Sequence, residues 1–230
     1  MRTRNNSNFS TASIIRKEDY MRKTGFTIIE VVVVFLLILG VTFLILPKSL
    51  DSTKQARFIS KWNETYTKLE YMFSVISAQK DSEIKEKLTV ANNDNARKKI
   101  ILETIKPYLR ITSEVKTPYT QYYMNGNEVM STDNYHFDNF YFTSSNEIVG
   151  LKLINSNCKK KEICTLMTFD INGSEVPNKW GYDIFGINVL KNGIEPLGKD
   201  LDFESLKKDC SKYGFGLSCS YYYLIGGKFD

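Results

Sequence analysis

The most apolar stretch of the chain covers residues 26–46, FTIIEVVVVFLLILGVTFLIL, and contains a single charged residue, Glu30. At about 1.5 Å per residue, a helix of this length covers roughly 31 Å, which matches the hydrocarbon core of a bilayer. Basic residues precede the stretch, among them Arg22 and Lys23. Because basic residues favour the cytoplasmic side, the pattern predicts one membrane-spanning helix at 26–46 whose N-terminus lies in the cytoplasm.

Two alternatives compete for this stretch. A removable secretory signal would have an apolar core of about 7–15 residues and a small-x-small cleavage site. The stretch here is longer and ends in Leu46-Pro47-Lys48, so we expect it to be retained. A plain membrane anchor leaves Glu30 unexplained, because a carboxylate inside a spanning helix is unfavourable unless something offsets it.

Beyond residue 50 the pattern becomes an amphipathic helical stripe. Apolar residues recur at gaps of three or four, at Phe58, Trp62, Tyr66, Leu69, Phe73 and Ile76. Neither glycine nor proline interrupts residues 48–80. We therefore predict a long helix over 26–79 that is kinked near Pro47 and packs its outer half on a globular head formed by residues 80–230.

The head shows a change from helical to strand patterns along its length. The polar stretch 81–95 is expected to be mostly loop, and Ile100, Ile101 and Ile105 predict a helix over 96–106 that ends near Pro107.

Strand patterns follow from about residue 118. Alternating and apolar runs predict an antiparallel meander of about four strands, at 140–142, 148–153, 163–169 and 184–190, with a short piece at Ile194. Asn172-Gly173 and Asn192-Gly193 are typical hairpin turns. Residues 202–209 are expected to form a helical turn and 221–225 a last strand. The predicted fold class is α+β, with a long N-terminal transmembrane helix packed on a head that contains an antiparallel β-sheet.

Composition narrows the class of protein. The 230 residues are 42% hydrophobic and 25% charged, which is ordinary for a folded chain and excludes disorder, collagen and a multi-spanning transporter. The net charge of +5 is concentrated in residues 1–25, so the rest is almost neutral and no specific nucleic-acid partner is expected. His136 is the only histidine, which excludes a histidine-rich metal site.

Four cysteines follow residue 157 and suggest two disulfides if this part of the chain lies outside the cytosol. Three pairings are open, and we prefer the two that are local in sequence, Cys158–Cys164 and Cys210–Cys219. The spacings are not those of a zinc site.

One loop is rich in oxygen ligands. Asp170, Asn172, Asn178 and Asp183 lie within fourteen positions of one another, together with glycines that let main-chain carbonyls turn inward. Calcium accepts six to eight such oxygens in irregular geometry, so these four residues are candidate Ca²⁺ ligands. The spacing does not match an EF-hand, and Asx turns between strands are the alternative interpretation. No other cofactor is expected.

The segment Lys23-Thr24-Gly25-Phe26-Thr27-Ile28-Ile29-Glu30, followed by the apolar run, resembles the prepilin processing motif of type IV pilins and type II secretion pseudopilins. The resemblance implies cleavage between Gly25 and Phe26 by a membrane-embedded prepilin peptidase, and N-methylation of Phe26. Pro47 falls where such helices often carry a kinking proline. The loop closed by Cys210 and Cys219 is similar to the D-region of pilins, and some pseudopilins bind calcium in a loop of the head.

The same resemblance implies a role for Glu30 in assembly. Its carboxylate would meet the free α-amino group of Phe26 on a neighbouring subunit and so set the axial register. Residues 1–25 would be the leader. Met21 is an alternative start, which would leave residues 1–20 untranslated.

We therefore expect a structural subunit, a minor pilin or pseudopilin of pilin-like fold, in a type IV pilus or a type II secretion pseudopilus. The expected partners are prepilin peptidase, other pilin subunits, an inner-membrane assembly platform and membrane lipid. The expected location is the inner membrane, with the head periplasmic or extracellular, and a filament after assembly. No enzyme motif is found, so no catalysis is expected. The alternative is a membrane-anchored extracytoplasmic binding protein or enzyme whose head acts alone.

Overall fold

The computed structural model describes residues 27–90, 93–155, 157–159 and 161–229, and the side chains of residues 43–52 and 79–90 fall outside this description. The chain divides into two units, residues 1–47 and 48–230. Helix α1, Ile28–Val90, begins in the first unit and contributes the first element of the second.

The predicted membrane crossing by residues 26–46 is wrong. In the part of the chain that the structure describes, no helix combines the length and the apolar character that a bilayer crossing requires.

Helix α1 also ends later than predicted, at Val90 instead of residue 79. We interpreted residues 81–90 as loop because they are polar. They contain, however, two glutamates, two lysines and one leucine, which are strong helix formers, and neither glycine nor proline. Local propensity therefore continues the helix where the apolar stripe has already ended.

Helix α2 spans Asp94–Leu109 and is delimited by its capping residues. The Asn93 side chain accepts a hydrogen bond from the backbone N–H of Ala96 at 2.8 Å, which satisfies a free amide of the first turn. At the other end Arg110 adopts a left-handed conformation with φ of 49° and stops the helix. The helix therefore continues past Pro107, where we predicted its end.

The sheet is antiparallel and has six strands in sequential order, β1 to β6. The strands are β1 Ile111–Glu114, β2 Phe140–Thr143, β3 Ile148–Leu153, β4 Ile163–Asp170, β5 Ile184–Leu190 and β6 Gly193–Pro196. It is a meander, longer than the four strands predicted. Strand β1 was not predicted; it is short and has only one buried residue, Ile111.

Both faces of the sheet are covered. One core contains residues of α1, α2 and the C-terminal segment, packed on Val149, Met167, Phe169, Phe185 and Ile187. On the opposite face Ile148, Leu166 and Ile184 pack against residues of the 115–137 segment and Trp180. This arrangement explains why the strands are almost continuously apolar, since a strand with only one buried face would alternate with polar residues.

The chain ends in two short helices, α3 Phe203–Asp209 and α4 Cys219–Tyr222. The predicted last strand at 221–225 is therefore wrong. Tyr222 and Tyr223 are neighbours in sequence and both are buried. A surface strand would send them to opposite faces, whereas here tertiary packing buries both and overrides their β-propensity.

Candidate functional site

The start of α1 is closed by a reciprocal pair of hydrogen bonds between Thr27 and Glu30. The Glu30 carboxylate accepts from the backbone N–H of Thr27 at 2.8 Å and from its hydroxyl at 2.9 Å. The backbone N–H of Glu30 donates to the Thr27 hydroxyl oxygen at 3.3 Å. This is a capping box, which satisfies free amides of the first helical turn.

The capping box favours the ionised form of Glu30 and hydrogen-bonds its carboxylate within the same chain. Its pKa is lowered, first by the backbone N–H of Thr27 and then by the Thr27 hydroxyl. A plain anchor would therefore also have a use for Glu30, because its carboxylate caps α1. The T-x-x-E pattern of residues 27–30 is the sequence signal of this capping box.

The apolar residues on both sides of Glu30, at the start of α1, are exposed in this chain. Their exposed fractions range from 85% at Ile28 to 49% at Val33. The set consists of Ile28, Ile29, Val31, Val32, Val33, Val34, Phe35, Leu36, Leu37, Ile38, Leu39 and Val41, and is called the apolar segment below. An apolar surface of this extent marks an interaction site, because isolated soluble chains rarely leave such patches uncovered.

Three of the predicted residues are either not described by the structure or described only by their backbone. Gly25 and Phe26, the predicted cleavage pair, precede the described residues. Pro47 lies inside α1, and its side chain belongs to the stretch that is not described. Cleavage, methylation and the kink therefore stay predictions.

The oxygen-rich loop connects β4 to β5 and joins its four predicted ligands in one hydrogen-bonded cluster. The Asp183 carboxylate accepts from the backbone N–H of Asn178 at 3.0 Å and of Lys179 at 2.5 Å. The Asp170 carboxylate accepts from the backbone N–H of Asn172 at 3.1 Å. The Asn172 side chain also lies close enough to Asp183 to lower the pKa of that carboxyl.

Burial makes both carboxylates hard to ionise. Asp170 and Asp183 are almost completely buried. Burial raises the pKa of Asp183 to about 6, against the effect of its hydrogen bonds. Burial is also the main cause that raises the pKa of Asp170 well above its usual value, and the nearby charge of Asp183 raises it further. Two buried acidic groups in such proximity favour either a proton or a bound cation.

The two amides of the cluster have free acceptors. Within the described part of the chain, the Oδ1 atoms of Asn172 and Asn178 are buried and accept no hydrogen bond. The Nδ2 of Asn172 donates to the carbonyl of Glu175 at 2.9 Å, which orients this amide. A buried acceptor without a donor is unfavourable, and a bound cation satisfies it as well as a donor does.

The chemistry of these ligands fits calcium better than zinc or another transition metal. Calcium coordinates carboxylate, amide and main-chain oxygens, and tolerates irregular geometry. No group of three or more acidic, histidine or cysteine side chains is placed to hold a metal ion within the described ranges. A cation at this loop would therefore depend on two carboxylates, Asp170 and Asp183, supplemented by amide and main-chain oxygens.

Two contacts at this loop come from distant parts of the chain and were not predicted. The Tyr119 hydroxyl donates to the second carboxylate oxygen of Asp170. The Lys61 ammonium, on α1, donates to the carbonyl of Ile171 and forms an ion pair with Glu147 at 3.2 Å. Both residues lie at least fifty positions from the loop, so no local sequence pattern connects them with it.

A groove lies beside this region, between α1, the end of α2 and the β2–β3 turn. Its volume is about 1090 Å³, and its lining mixes apolar side chains such as Met72 with charged ones such as Glu64 and Lys68. The Lys61–Glu147 ion pair lines the same groove. The head could hold a ligand here if it acted alone.

Both disulfides join the pairs that we preferred, Cys158–Cys164 and Cys210–Cys219. Cys210 and Cys219 are buried in the core, whereas Cys158 and Cys164 close the β3–β4 loop at the surface.

The Asp209 carboxylate accepts four hydrogen bonds from the C-terminal loop, at Phe215, Gly216 and twice at Ser218. These bonds hold the loop in one conformation.

Comparison of the chain with protein-family models, with curated proteins and with solved structures finds no match. The arguments for function therefore depend on the residues themselves.

Proposed function

We propose that the chain is a structural subunit of a filament of the type IV pilus or type II secretion pseudopilus kind, and that it assembles through the start of α1. The observation that carries this proposal is the apolar segment, which stays exposed in the isolated chain. It begins two residues after Phe26 and overlaps the capping box of Thr27 and Glu30, as a processed assembly helix would.

Other copies of the chain, or related subunits, are the partners that would cover the apolar segment. Burying apolar surface contributes about 25 cal/mol per Å², so side-by-side packing of such segments is strongly favourable. Their side chains are aliphatic apart from Phe35, and aliphatic surfaces pack without specific polar partners. The head would then lie on the outside of the filament.

Glu30 would gain a partner when the filament forms. In the isolated chain its carboxylate accepts from Thr27. Cleavage after Gly25 would create a cationic amino group on Phe26, and a charged donor forms a stronger hydrogen bond with a carboxylate than a neutral one. The carboxylate can keep its bonds to Thr27 and accept one more, because each oxygen has two lone pairs.

Processing and location follow from the same proposal. Prepilin peptidase would cleave the chain, and an assembly platform would add it to the filament. The head would lie outside the cytosol, since disulfides persist in oxidising compartments. The proposal assigns no catalytic step to the head.

We also propose that Ca²⁺ binds the loop between β4 and β5 and stabilises the head. The support consists of two buried carboxylates, Asp170 and Asp183, and two buried amide oxygens without donors, on Asn172 and Asn178. A divalent cation would balance the buried charge and would hold together a loop of thirteen residues between the strands.

Isolation of surface filaments tests the proposed function. The filaments are sheared from cells, purified by sedimentation and analysed by mass spectrometry, with a Gly25→Val variant as the matched control. The proposal predicts that the chain is present in wild-type filaments and absent from those of the variant. Recovery of the chain only as a free protein, in both strains, contradicts it.

A further inference from the structure

The end of the sheet opposite the oxygen-rich loop carries lysines from two neighbouring turns. The β3–β4 loop contains Lys159 and Lys161, and the β5–β6 turn contains Lys191. Both turns lie at the same end, because Ile163 at the start of β4 pairs with Leu190 at the end of β5. We call these three exposed lysines the lysine end.

Covalent and polar contacts join the described residues of the β3–β4 loop. The disulfide Cys158–Cys164 closes it. The carboxylate of Glu162, the only acidic residue between β3 and β4, accepts from the backbone N–H of Lys159 at 3.0 Å and from the Asn155 side chain at 3.1 Å. The carboxylate that carries the loop's one negative charge therefore stabilises the conformation of the loop.

The ammonium groups of the lysine end are free to meet an external anion. Within the described ranges, no ion pair involves Lys159, Lys161 or Lys191. By contrast, Lys152 on the neighbouring strand donates to the carbonyl of Asn134 at 2.8 Å and is occupied within the chain. A fourth lysine, Lys160, belongs to the same loop in sequence.

Apolar side chains flank the lysines. Ile154, just after β3, is 50% exposed, and Ile163, at the start of β4, is 37% exposed. Exposed aliphatic side chains beside lysines are typical of protein surfaces that lie on a charged lipid headgroup layer, where the lysines meet phosphates and the apolar groups enter the acyl boundary.

We propose that the lysine end is a binding surface for anionic lipid headgroups, with Ile154 and Ile163 inserted between them. A nucleic acid offers the same phosphates, but the loop has no arginine and no aromatic residue to contact or stack on bases. Exposed isoleucines gain nothing against a nucleic-acid backbone, whereas a lipid surface buries them. The combination therefore favours lipid.

The test is vesicle sedimentation of the full chain. Vesicles of phosphatidylcholine alone are compared with vesicles that contain phosphatidylglycerol as well, and the ratio of the two affinities is the readout. The apolar segment of α1 is the same in every variant, so its own contribution cancels in the comparison between variants.

One variant combines Lys159→Gln, Lys161→Gln and Lys191→Gln. The matched control carries Lys98→Gln, Lys99→Gln and Lys116→Gln, which remove equal charge elsewhere.

The proposal predicts that the lysine-end variant loses roughly fivefold in this ratio per lysine, or about a hundredfold in all, while the control keeps the wild-type ratio. Ile154→Ser should weaken binding to anionic vesicles by a few fold, with unchanged melting temperature. An equal loss in the control variant would overturn the proposal, because net charge alone would then explain binding. Loss of duplex DNA binding with an unchanged vesicle ratio would overturn it in favour of a nucleic acid.

Discussion

The indole N–H of Trp62 donates to the carbonyl oxygen of Ser220 at 2.8 Å, across 158 positions of sequence. The Trp62 ring also stacks on Phe185 of β5, with centroids 4.9 Å apart. The Ser220 hydroxyl in turn accepts from the backbone N–H of Gly186 at 2.8 Å. One buried side chain of α1 thus joins the middle of the sheet to the C-terminal helix α4.

Replacing this tryptophan should destabilise the head measurably. Trp62→Phe keeps an apolar ring but removes the donor and leaves a cavity, so we expect a loss of about 2–4 kcal/mol in the free energy of unfolding. Urea denaturation followed by fluorescence measures it. Tyr71→Phe, at a 75% exposed position on the same helix, is the control and should change little. A loss under about 0.5 kcal/mol for Trp62→Phe contradicts the packing described.

Calcium should stabilise the full chain. At a concentration a hundred times the dissociation constant, a cation that binds only the folded state contributes about 2.7 kcal/mol, which raises the melting temperature by roughly 5–10 °C. Asp170→Asn should abolish the rise, because it removes a buried ligand charge. Asp138→Asn, which removes an exposed carboxylate, is the control and should keep it. An equal rise in the Asp170 variant contradicts the site.

Without a divalent cation, stability should fall as the pH rises. The folded-state pKa of Asp183 is raised to about 6 from an ordinary value of 3.8, so the folded state binds the proton more tightly than the unfolded state. This contribution is fully present below about pH 4 and is lost as the pH rises through about 6. We expect a loss on the order of a few kcal/mol in chelator between pH 4 and 7. A free energy of unfolding that rises between pH 4 and 7 would contradict the burial of Asp170 and Asp183 without a neutralising cation.

Glu30→Gln should separate the two roles of Glu30. Glutamine can still accept from Thr27 and complete a capping box, but it cannot form an ion pair with an amino group. We therefore expect a processed chain that enters filaments poorly. Thr27→Ala weakens the cap and keeps the charge, so it should assemble better than Glu30→Gln. If Glu30→Gln assembles normally and Thr27→Ala does not, the capping box is the role that matters.

Local sequence patterns were sufficient to predict those parts of the head whose contacts are local. Asn172-Gly173 marked the end of β4, although a loop of thirteen residues follows it instead of the tight hairpin turn predicted. Short spacings identified both disulfide pairs. The apolar runs at 148–153 and 184–190 correspond to β3 and β5. In each case the residues that determine the structure lie next to one another in the chain.

The features that sequence patterns did not predict depend on contacts between residues far apart in the chain. The hydrogen bond from Tyr119 to Asp170 joins positions that are 51 residues apart, and no periodicity encodes it. Residues 221–225 have high β-propensity, but the burial of Tyr222 and Tyr223 and the bond from Trp62 to Ser220 favour a helix and turns. The membrane crossing was predicted from the length and apolar content of residues 26–46 and from the basic residues before them, and no described helix meets the requirement for it.

The mass of the mature chain tests the central claim most directly. The full chain is expressed in cells that make filaments, extracted, and measured intact and after proteolysis. The account predicts an N-terminal peptide that begins at Phe26, carries an added methyl group, and is absent in the Gly25→Val variant. A mature chain that begins after Leu46, or one that keeps residues 21–25, would contradict assembly through the start of α1.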